Sequence, residues 1–516
     1  MDYNSLMQGG KERGNPMNLY RVLWEAARIN PHVTAIATQD ESYTYAELIT
    51  WVEQLASGFR RLGVRPGNRV VLLLRNRPTT FAVVWAVIAL GAVAVPINAD
   101  QSRETLRRTL QDVEPQAIIY EALEGRGIAG LTGSERPLLI GVGADDADIE
   151  IGELPHLAKV QPEFRFHERE ADDVALILYT TGTTGQPKGV PRTHLNTLSA
   201  AQAHVMQNCY ELRERILGVM PLSHTMGLHL YIAATLLSAT YVVVRDLDPD
   251  QAAELIDRQR VSALYQTPFW YYILLHSQQA EKYEMRTVRK IGYAGQVMHE
   301  SLIEASIDRF HPQVFKNHYG STEVYTHTIS NVLARIPGSV GQAGNHSLVT
   351  IDGSRVAGTV GEVLVSLSSP EAFRGYWNRP DLTRRQLDGG WYRTRDLGYQ
   401  DAEGNFYVVG RIDDMIISGG EHILPQIVES VLANHPKILE VAVTGEPDNR
   451  WGQIVVAYVV PRTAGLRVFE LDAYCKQQSV LSLWARPRKY VFVRQIPKSA
   501  TGKIIRRELT NLEGSL

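Results

Sequence analysis

The residues with the clearest chemical potential form the loop "YTTGTTGQPKGV" at residues 179–190, directly after the apolar run "VALIL". Glycines let a backbone approach a ligand closely, and hydroxyls, backbone N–H groups and an ammonium are donors to phosphate oxygens. The Walker pattern GxxxxGK[ST] does not fit, because Pro187 precedes Lys188 and Gly189 follows it. An ordinary glycine-rich turn is the alternative. We predict a phosphate-binding loop whose donors are Thr180, Thr181, Gly182, Thr183, Thr184 and Lys188.

The apolar pattern predicts the elements that position this loop. Short apolar runs such as "RVVLLL" and "ATYVVV" alternate with longer helix-like stretches such as "AELITWVEQLASGFRRLG". This alternation predicts βα units and parallel sheets covered on both faces, with ligands at the carboxyl ends of strands. After about Pro337 the strands become shorter and richer in turns, which is typical of a barrel-like or antiparallel section. From Met415 onward, a short helix, two strands and a basic tail predict a small α+β domain.

These patterns together predict an α/β fold class with two domains. The large N-terminal domain, residues 1–412, contains two βα-layered subdomains and a small β-barrel-like subdomain. The C-terminal domain, residues 413–516, is a small mobile α+β unit. The length of 516 residues agrees, since it corresponds to roughly three units of ~150 residues.

Composition narrows the partners and the compartment. The 53 basic and 56 acidic residues nearly balance, so neither nucleic acid nor an anionic membrane is expected as partner, and the partner is a small molecule. Cys209 and Cys475 are far apart and lack metal-ligand spacing, which favours a reducing, cytoplasmic compartment. The first residues show no secretory signal, and the apolar segment 81–97 is interrupted by Gly91 and Pro96, which favours a buried helix followed by a buried strand. We expect a monomer or a homodimer.

Four further segments follow the loop in order: "NHYGSTE", "GWYRTRDLG", "GRIDDMIISGGE" and "PKSATGKIIRREL". With the loop, they resemble the ordered core motifs of the adenylate-forming superfamily, which contains acyl- and aryl-CoA ligases, peptide-synthetase adenylation domains and luciferases. The resemblance extends over nearly the whole chain, from "YTYAEL" to the C-terminal "RREL". It implies an ATP-dependent ligase that converts a carboxylic acid to an acyl-adenylate and, in the acyl- and aryl-CoA ligase branch, transfers the acyl group to CoA.

The resemblance assigns roles to the segment "NHYGSTE". Glu323 is implied as the ligand of Mg²⁺, for which a carboxylate is a suitable hard oxygen donor. Thr322 is implied as a donor to the α-phosphate, and Tyr319 as the ring that stacks on adenine. A solvated turn carboxylate and a core tyrosine are the plainer interpretations.

The later segments are implied to complete adenylation and to start the second half-reaction. Asp396 would accept the ribose hydroxyls, with Arg411 binding ribose or phosphate, although Arg395 stands where the family commonly has a small residue such as glycine. Lys503 would bridge the carboxylate and phosphate oxygens, and Asp413 matches the hinge about which the small domain rotates. A solvated basic tail and an ordinary linker are the alternatives.

The acid pocket is expected in "PLSHTMGLHLY" and "YAGQVM". His224 matches a histidine that lines the carboxylate pocket and gates pantetheine entry, and a packed core histidine is the alternative. Amino acids are disfavoured as substrates, because no acidic residue stands where peptide-synthetase domains bind the amino group. An aromatic or cyclic carboxylic acid suits a largely apolar slot. Five further residues are expected to form it: Thr225, Met226, Ala294, Gly295 and Tyr325.

The small domain most resembles that of 4-chlorobenzoyl-CoA ligase, which implies contacts with CoA. The implied contacts are Gly419 and Gly420 in the wall of the pantetheine tunnel, Trp451 at its mouth, Trp484 on the adenine, and Arg486 and Arg488 on the phosphates. The expected cofactors are thus ATP, Mg²⁺ and CoA. Two alternatives stay open: an amide bond synthetase that transfers the acyl group to an amine or amino acid without CoA, and a non-catalytic nucleotide sensor.

Overall fold

The computed structural model describes most of the chain. The described residues are 17–121, 128, 131, 136–157, 164–181, 186–245, 248–334, 336–353, 356–463, 465–479, 481–499 and 502–512. Within these residues no helix is long and apolar enough to cross a membrane.

The first elements run from the N-terminal helix to the hairpin that carries the phosphate loop. They are α1 (Arg21–Ile29), β1 (Thr34–Ala37), β2 (Ser42–Thr44), α2 (Tyr45–Arg61), β3 (Arg69–Leu73), α3 (Pro78–Ala89), β4 (Val93–Pro96), α4 (Arg103–Val113), β5 (Ala117–Glu121), β6 (Leu138–Val142), β7 (Ile149–Glu150), α5 (Leu154–Leu157), β8 (Val174–Thr181) and β9 (Pro187–Thr193). Seven of the strands form one sheet in the order β7-β6-β5-β3-β4-β8-β9, parallel except for the antiparallel β8–β9 pair.

The next elements form a second βα layer. They are α6 (His194–Gln207), β10 (Arg215–Gly218), α7 (Thr225–Leu236), β11 (Thr240–Val243), α8 (Pro249–Arg258), β12 (Ala263–Gln266), α9 (Pro268–Leu275), β13 (Lys290–Ala294), α10 (Glu300–Phe310), β14 (Val314–Tyr319), β15 (Thr328–Asn331) and β16 (Gln342–Ala343). Their strands join β1 and β2 in a nine-stranded sheet, ordered β16-β15-β14-β13-β12-β10-β11-β1-β2. The core cluster packs residues of both sheets together, so the two layers share one apolar interior.

The remaining elements form two antiparallel or mixed units. They are β17 (Val349–Ile351), β18 (Gly361–Ser366), α11 (Pro380–Gln386), β19 (Leu387–Asp388), β20 (Trp391–Gln400), β21 (Phe406–Arg411), β22 (Ile416–Ser418), β23 (Glu421–Ile423), α12 (Pro425–Ala433), β24 (Ile438–Asp448), β25 (Gly452–Pro461), α13 (Val468–Lys476), β26 (Lys489–Phe492) and α14 (Arg506–Leu509). Strands β17 to β21 form one five-stranded sheet and β22 to β26 another. Short 3₁₀ helices lie at Ile151–Glu153, Ala280–Lys282, Val332–Ala334 and Ile412–Asp414.

The local sequence explains where the helices begin and why some are buried. Helix α2 starts in a capping box, in which the Thr44 hydroxyl accepts from the Glu47 backbone N–H and the Glu47 carboxylate accepts from the Thr44 N–H. Helix α3 is apolar on every side, and it lies buried between the layers before continuing into β4. The segment 81–97 is therefore a buried helix followed by a buried strand, as predicted.

The predicted fold class is confirmed. The βα alternation gives the two layered sheets, the turn-rich section after Pro337 gives the antiparallel sheet β17–β21, and the small α+β unit follows it. The exact boundary between residues 412 and 413, and the mobility of the small domain, stay predictions. The 3₁₀ turn Ile412–Asp414 lies between the last strand of one five-stranded sheet and the first strand of the next.

Candidate active site

The predicted phosphate loop joins the antiparallel strands β8 and β9. The strand register pairs Thr180 with Lys188 at the end of this hairpin that adjoins the loop. The Lys188 ammonium nitrogen lies 5.6 Å from the centroid of the Tyr376 ring, a cation–π distance. The phosphate contacts themselves stay predictions, since much of the loop lies outside the described residues: Gly182, Thr183, Thr184 and the side chain of Thr181.

Glu323 lies in the turn after β14 and is held through both its backbone and its side chain. Its Oε1 accepts a hydrogen bond from the Tyr376 hydroxyl at 2.7 Å. Its carbonyl oxygen accepts from the Phe373 N–H and from the Arg192 guanidinium, both at 2.9 Å. The carbonyl of Thr322 accepts from the same guanidinium at 3.3 Å. The Glu323 carboxylate is therefore presented from a fixed backbone.

The donor set around Glu323 fits Mg²⁺. This ion takes one or two carboxylates and completes its shell with phosphate oxygens and water. In the described part of the chain, no group of three or more His, Cys, Asp and Glu side chains could form an all-protein metal site. A single buried carboxylate thus suits a metal that binds together with a triphosphate.

Asp396 lies where β20 pairs with β21, directly opposite Arg411. The Tyr319 hydroxyl donates to Asp396 Oδ2 at 2.6 Å, and Arg411 Nε lies 3.5 Å from Oδ1. Burial raises the pKa of the Asp396 carboxyl, while the charge of Arg411 and the Tyr319 hydrogen bond act against that rise. The structure thus brings three predicted ribose and adenine residues into direct contact, and it links Tyr319 to the carboxylate through a hydrogen bond.

Arg395 has a backbone conformation that favours glycine, the residue that the resemblance leads one to expect here. Its φ is +65°, in the left-handed region, where a side chain costs about 1–2 kcal/mol. It lies in a bulge of β20, because Arg393 pairs with Leu364 whereas Leu397 pairs with Glu362. The Arg395 guanidinium is bound to one oxygen of Asp413, at 2.7 Å from Nη2.

Lys503 reaches the cleft from the small domain. The preceding Gly502 lies against α9, since a Cβ added to Gly502 would be 2.6 Å from the Phe269 Cβ, and its carbonyl accepts from the Gln296 amide. The Lys503 Cε lies 3.7 Å from the position of a Cβ on Gly295. The structure therefore shows the orientation in which the lysine loop is docked on the large domain.

The charges of this cleft act on Lys503 directly. Desolvation and the charge of Arg411 lower the pKa of the Lys503 ammonium, whereas the carboxylates of Asp396 and Glu323 oppose that change. The side chain keeps contact with solvent in the open cleft. Glu323, Asp396, Arg411 and Lys503, predicted from four separate segments, thus share one electrostatic site.

His224 is the N-cap residue of α7, and Thr225 and Met226 open that helix. Burial, and then the charge of Lys503, lower the pKa of the His224 imidazole to about 4. The imidazole is therefore neutral at physiological pH. A neutral ring beside the lysine adds no further positive charge to the cleft.

The other expected acid-pocket residues have more polar neighbours than the sequence indicates. Ala294 ends β13 and Gly295 follows it with φ +92°. The Tyr325 hydroxyl lies 3.1 Å from Nδ1 of His204, and its ring stacks on His229 at 4.4 Å between centroids. Burial keeps both imidazoles neutral, lowering the pKa of His229 to about 3 and that of His204 well below its usual value. Polar side chains therefore surround Tyr325 in the region of the expected acid pocket.

Four buried residues of this region were not found from the sequence: Arg192, Tyr376, His204 and His229. The partners named above lie in distant segments of the chain, so no local sequence motif indicates the roles of these four residues. Of the four, only Arg192 is indicated by the sequence. It is a charged residue in the strand pattern that follows "PKGV", which is unusual for a buried strand.

Three of the implied CoA residues, Gly419, Trp451 and Trp484, form one contact cluster. Gly419 and Gly420 have φ +60° and +87°. The rings of Trp451 and Trp484 meet edge to face at 4.9 Å, and a Cβ on Gly419 would lie 2.8 Å from the Trp484 ring. A side chain at position 419 is therefore excluded by the packing of Trp484.

The two arginines expected at the CoA phosphates differ in exposure. Arg486 has a 19% exposed side chain with its Nε 3.3 Å from Oδ1 of Asp472. Arg488 is exposed, and its Nη2 donates to the Leu483 carbonyl at 3.2 Å. In this orientation of the domains, Arg488 is the more accessible of the two to an anionic ligand.

Fold and site are those of an adenylate-forming ligase. The chain belongs to the AMP-binding enzymes: the AMP-binding enzyme model matches residues 23–377, and the AMP-binding enzyme C-terminal domain model matches residues 427–503. The resemblance stated from the sequence motifs is confirmed.

Characterised relatives extend over nearly the whole chain. A feruloyl-CoA synthase from Amycolatopsis sp is 31% identical over 491 residues, which cover 94% of this chain and 96% of that protein. A 4-chlorobenzoate–CoA ligase from Arthrobacter sp is 29% identical over 521 residues, covering 96% and 95%. Among solved structures, the amide bond synthetase McbA from Marinactinospora thermotolerans has a TM-score of 0.84 and 26% identity, covering 96% of this chain and 99% of that one.

Docking of the lysine loop yields a first prediction. We expect Gly502→Ala to slow acyl-adenylate formation on the order of 10²-fold, because the added Cβ meets Phe269 and moves the adjacent lysine. Acyl transfer from a supplied acyl-adenylate should keep its rate, since that step is expected to need another domain orientation. Single-turnover assays of each half-reaction measure both effects.

Gly465→Ala is the matched control. Gly465 has a similar backbone angle, φ +92° against +81° for Gly502, but nothing lies within 4 Å of an added Cβ. It reports the cost of backbone strain alone, and we expect wild-type rates in both half-reactions. An adenylation rate of Gly502→Ala equal to that of Gly465→Ala contradicts the docking argument.

Proposed function

We propose that this enzyme activates a carboxylic acid with ATP, releases pyrophosphate, and transfers the acyl group from the acyl-adenylate to CoA. The observation that carries this proposal is the common electrostatic site of Glu323, Asp396, Arg411 and Lys503. These residues come from separate segments of both domains. Charge-neutralising groups collected around one nucleotide site are what a reaction between two anions requires.

In the first half-reaction, a carboxylate oxygen attacks the α-phosphorus of ATP. An O–P bond forms, the bond to the β-phosphate oxygen breaks, and pyrophosphate leaves with that electron pair. Lys503 places its ammonium between the carboxylate and the α-phosphate oxygens, and Thr322 donates to the latter. Asp396, held by Tyr319 and Arg411, accepts the ribose hydroxyls. Mg²⁺ bound through Glu323 would add neutralisation of the phosphate charge.

In the second half-reaction, the small domain rotates about Asp413 and removes Lys503 from the cleft. The CoA sulfur then attacks the adenylate carbonyl, AMP leaves with the electron pair of the C–O bond, and the thiol proton passes to solvent. The structure offers two supports for a hinge here. Asp413 is bound by Arg395 of the large domain, and the neighbouring Asp414 lies 3.3 Å from Arg506 of the small domain.

We propose an aromatic or cyclic acid as substrate. The stacked pair of Tyr325 and His229 gives the region a flat aromatic wall, and Gly295 leaves space beside Lys503. The names of the feruloyl and 4-chlorobenzoate relatives also denote aromatic acids. The polar neighbours of Tyr325 favour an acid that is not wholly apolar.

The amide bond synthetase is the second candidate. It is favoured by the similarity to McbA and by Arg486, which pairs with Asp472 inside the small domain. CoA is preferred, because the named relatives at about 30% identity are CoA ligases and because Arg488 is exposed near Trp484. We also propose that the enzyme is cytoplasmic, because its two cysteines are free thiols. We propose a monomer or a homodimer as its oligomeric state.

Removal of the lysine tests the first half-reaction. We expect Lys503→Ala to slow acyl-adenylate formation roughly 10²–10³-fold, on the order of 3–4 kcal/mol, because one charge leaves a site built for neutralisation. Transfer from a supplied acyl-adenylate should be largely intact. Rapid-quench assays of each half-reaction give the comparison.

Lys437→Ala controls for the loss of one positive charge on the small domain. Lys437 is paired with Glu470 and is 46% exposed, and it has no proposed part in the reaction. It should leave both half-reactions unchanged. Equal losses of the two half-reactions in Lys503→Ala would show that the lysine is needed for something other than adenylation.

Replacement of the exposed arginine tests the acceptor. If CoA is the acceptor, Arg488→Ala should raise the CoA KM roughly 5- to 10-fold, because a charge-assisted phosphate contact is lost, while pyrophosphate exchange is unchanged. Arg486→Ala should act less, since Asp472 occupies that guanidinium. Replacing both should raise the CoA KM at least as much as Arg488→Ala. Initial rates at varied CoA concentration measure all three.

Mass spectrometry of products formed with CoA and an amine panel present together separates the candidates. The CoA proposal expects a dominant thioester. A dominant amide without thioester, together with a turnover that Arg488→Ala does not change, would replace it by the amide bond synthetase.

A further inference from the structure

Arg192 is a buried cation that the reaction as described does not use. It lies in β9, its relative exposure is 0%, and it is among the largest fully buried side chains. Burial lowers the pKa of its guanidinium to about 10, so the group is charged at physiological pH. Taking a charge out of water costs several kcal/mol unless the surroundings compensate. Such a residue requires an explanation.

The hydrogen bonds of Arg192 show what the buried charge holds. Its Nη1 donates to two successive backbone carbonyls, those of Thr322 at 3.3 Å and Glu323 at 2.9 Å. Its Nη2 donates to the Asn196 carbonyl at 3.4 Å in the first turn of α6. The planar guanidinium therefore fixes the backbone of the two residues proposed at the α-phosphate and the metal. A lysine has no such planar fork.

Arg192 also joins this turn to the phosphate hairpin. Lys188 and Arg192 are four residues apart in β9, so their side chains leave the same face of the strand. Lys188 lies over the Tyr376 ring, and the Tyr376 hydroxyl donates to Glu323. A closed set of contacts thus runs from β9 through Tyr376 and Glu323 and back to β9.

The far end of the same turn is held separately. The fully buried Glu371 accepts from the Thr326 N–H at 3.0 Å, and burial raises the pKa of its carboxyl to about 8. Between these points the turn is tight, because a Cβ on Gly320 would lie 1.9 Å from the Tyr325 carbonyl oxygen. The turn cannot relax easily, so its position depends on the groups that hold its two ends.

We propose that Arg192 is a positioning residue for acyl-adenylate formation, which fixes the Thr322–Glu323 backbone relative to the phosphate hairpin. This inference rests on the proposed function of the cleft. It predicts that loss of the fork displaces the metal-binding carboxylate without changing the acid pocket or the small domain. The effect should therefore fall on the first half-reaction and on its dependence on Mg²⁺.

The test uses Arg192→Lys in the full chain, since lysine keeps the charge and most of the volume. We expect the rate constant of adenylation to fall about 10- to 100-fold, with half-saturation at a severalfold higher Mg²⁺ concentration. The KM for the acid and the transfer rate from a supplied acyl-adenylate should stay within threefold of wild type. If this variant does not fold, Arg192→Gln, which keeps two donors, is measured by the same criteria.

Arg215→Lys is the matched control. Arg215, at the start of β10, is a partly buried strand arginine whose guanidinium also donates to a backbone carbonyl, that of Gln259. It should leave the Mg²⁺ dependence unchanged. Tyr376→Phe, which removes the side-chain contact of Glu323, should combine with Arg192→Lys less than multiplicatively, because both act on one carboxylate.

Two results would overturn the proposal. One is an adenylation rate and Mg²⁺ curve of Arg192→Lys equal to those of Arg215→Lys. The other is an equal loss in both half-reactions, which indicates a general structural role. Absence of acid-dependent pyrophosphate exchange in the wild-type enzyme is a separate result, because it removes the proposed function itself.

Discussion

The constraint on which this structure depends is the repulsion between a carboxylate and a triphosphate. Two unit charges 4 Å apart interact by about 4 kcal/mol at an effective dielectric constant of ~20, so uncompensated contact of these anions is costly. In the proposed site, three cations from different parts of the chain compensate this negative charge. They are Lys188 on the phosphate hairpin, Arg411 at the end of β21, and Lys503 on the small domain. In the proposed reaction, Glu323 adds a ligand for a metal cation.

The same constraint explains why one cation is carried on a separate domain. A lysine that neutralises the first transition state occupies space that an acceptor needs in the second. In the described part of the lysine loop, Gly502 packs against Phe269, the Gly502 carbonyl accepts from Gln296, and the Lys498 ammonium lies over the Phe269 ring. At the proposed hinge, Arg395 of the large domain binds Asp413, and Arg506 of the small domain binds Asp414.

The sequence was sufficient for everything that depends on local pattern. Apolar runs located β3, β8 and β11, and the uniformly apolar segment 81–97 was correctly assigned to a buried helix and strand. The shared role of Asp396, Arg411 and Lys503 came from the resemblance of the ordered motifs to the adenylate-forming superfamily, not from local pattern. What the sequence could not show are contacts between distant segments.

Three cases illustrate this limit. The fork of Arg192 joins positions about 130 residues apart, so its role depends on the packing of β9 against the turn after β14. The pairing of Arg486 with Asp472 turns an expected phosphate ligand inward, because an acidic residue of α13 happens to face it. The departure at Arg395 was visible in the sequence, but only the backbone shows its left-handed φ and its partner Asp413.

The most direct measurement of the central claim is ATP–pyrophosphate exchange by the purified enzyme over a panel of aromatic, cyclic and linear carboxylic acids. If the cleft forms acyl-adenylates, radiolabelled pyrophosphate enters ATP only when a suitable acid and Mg²⁺ are present, without any acceptor, and aromatic or cyclic acids give the fastest exchange. No acid-dependent exchange with any member of the panel would contradict the account.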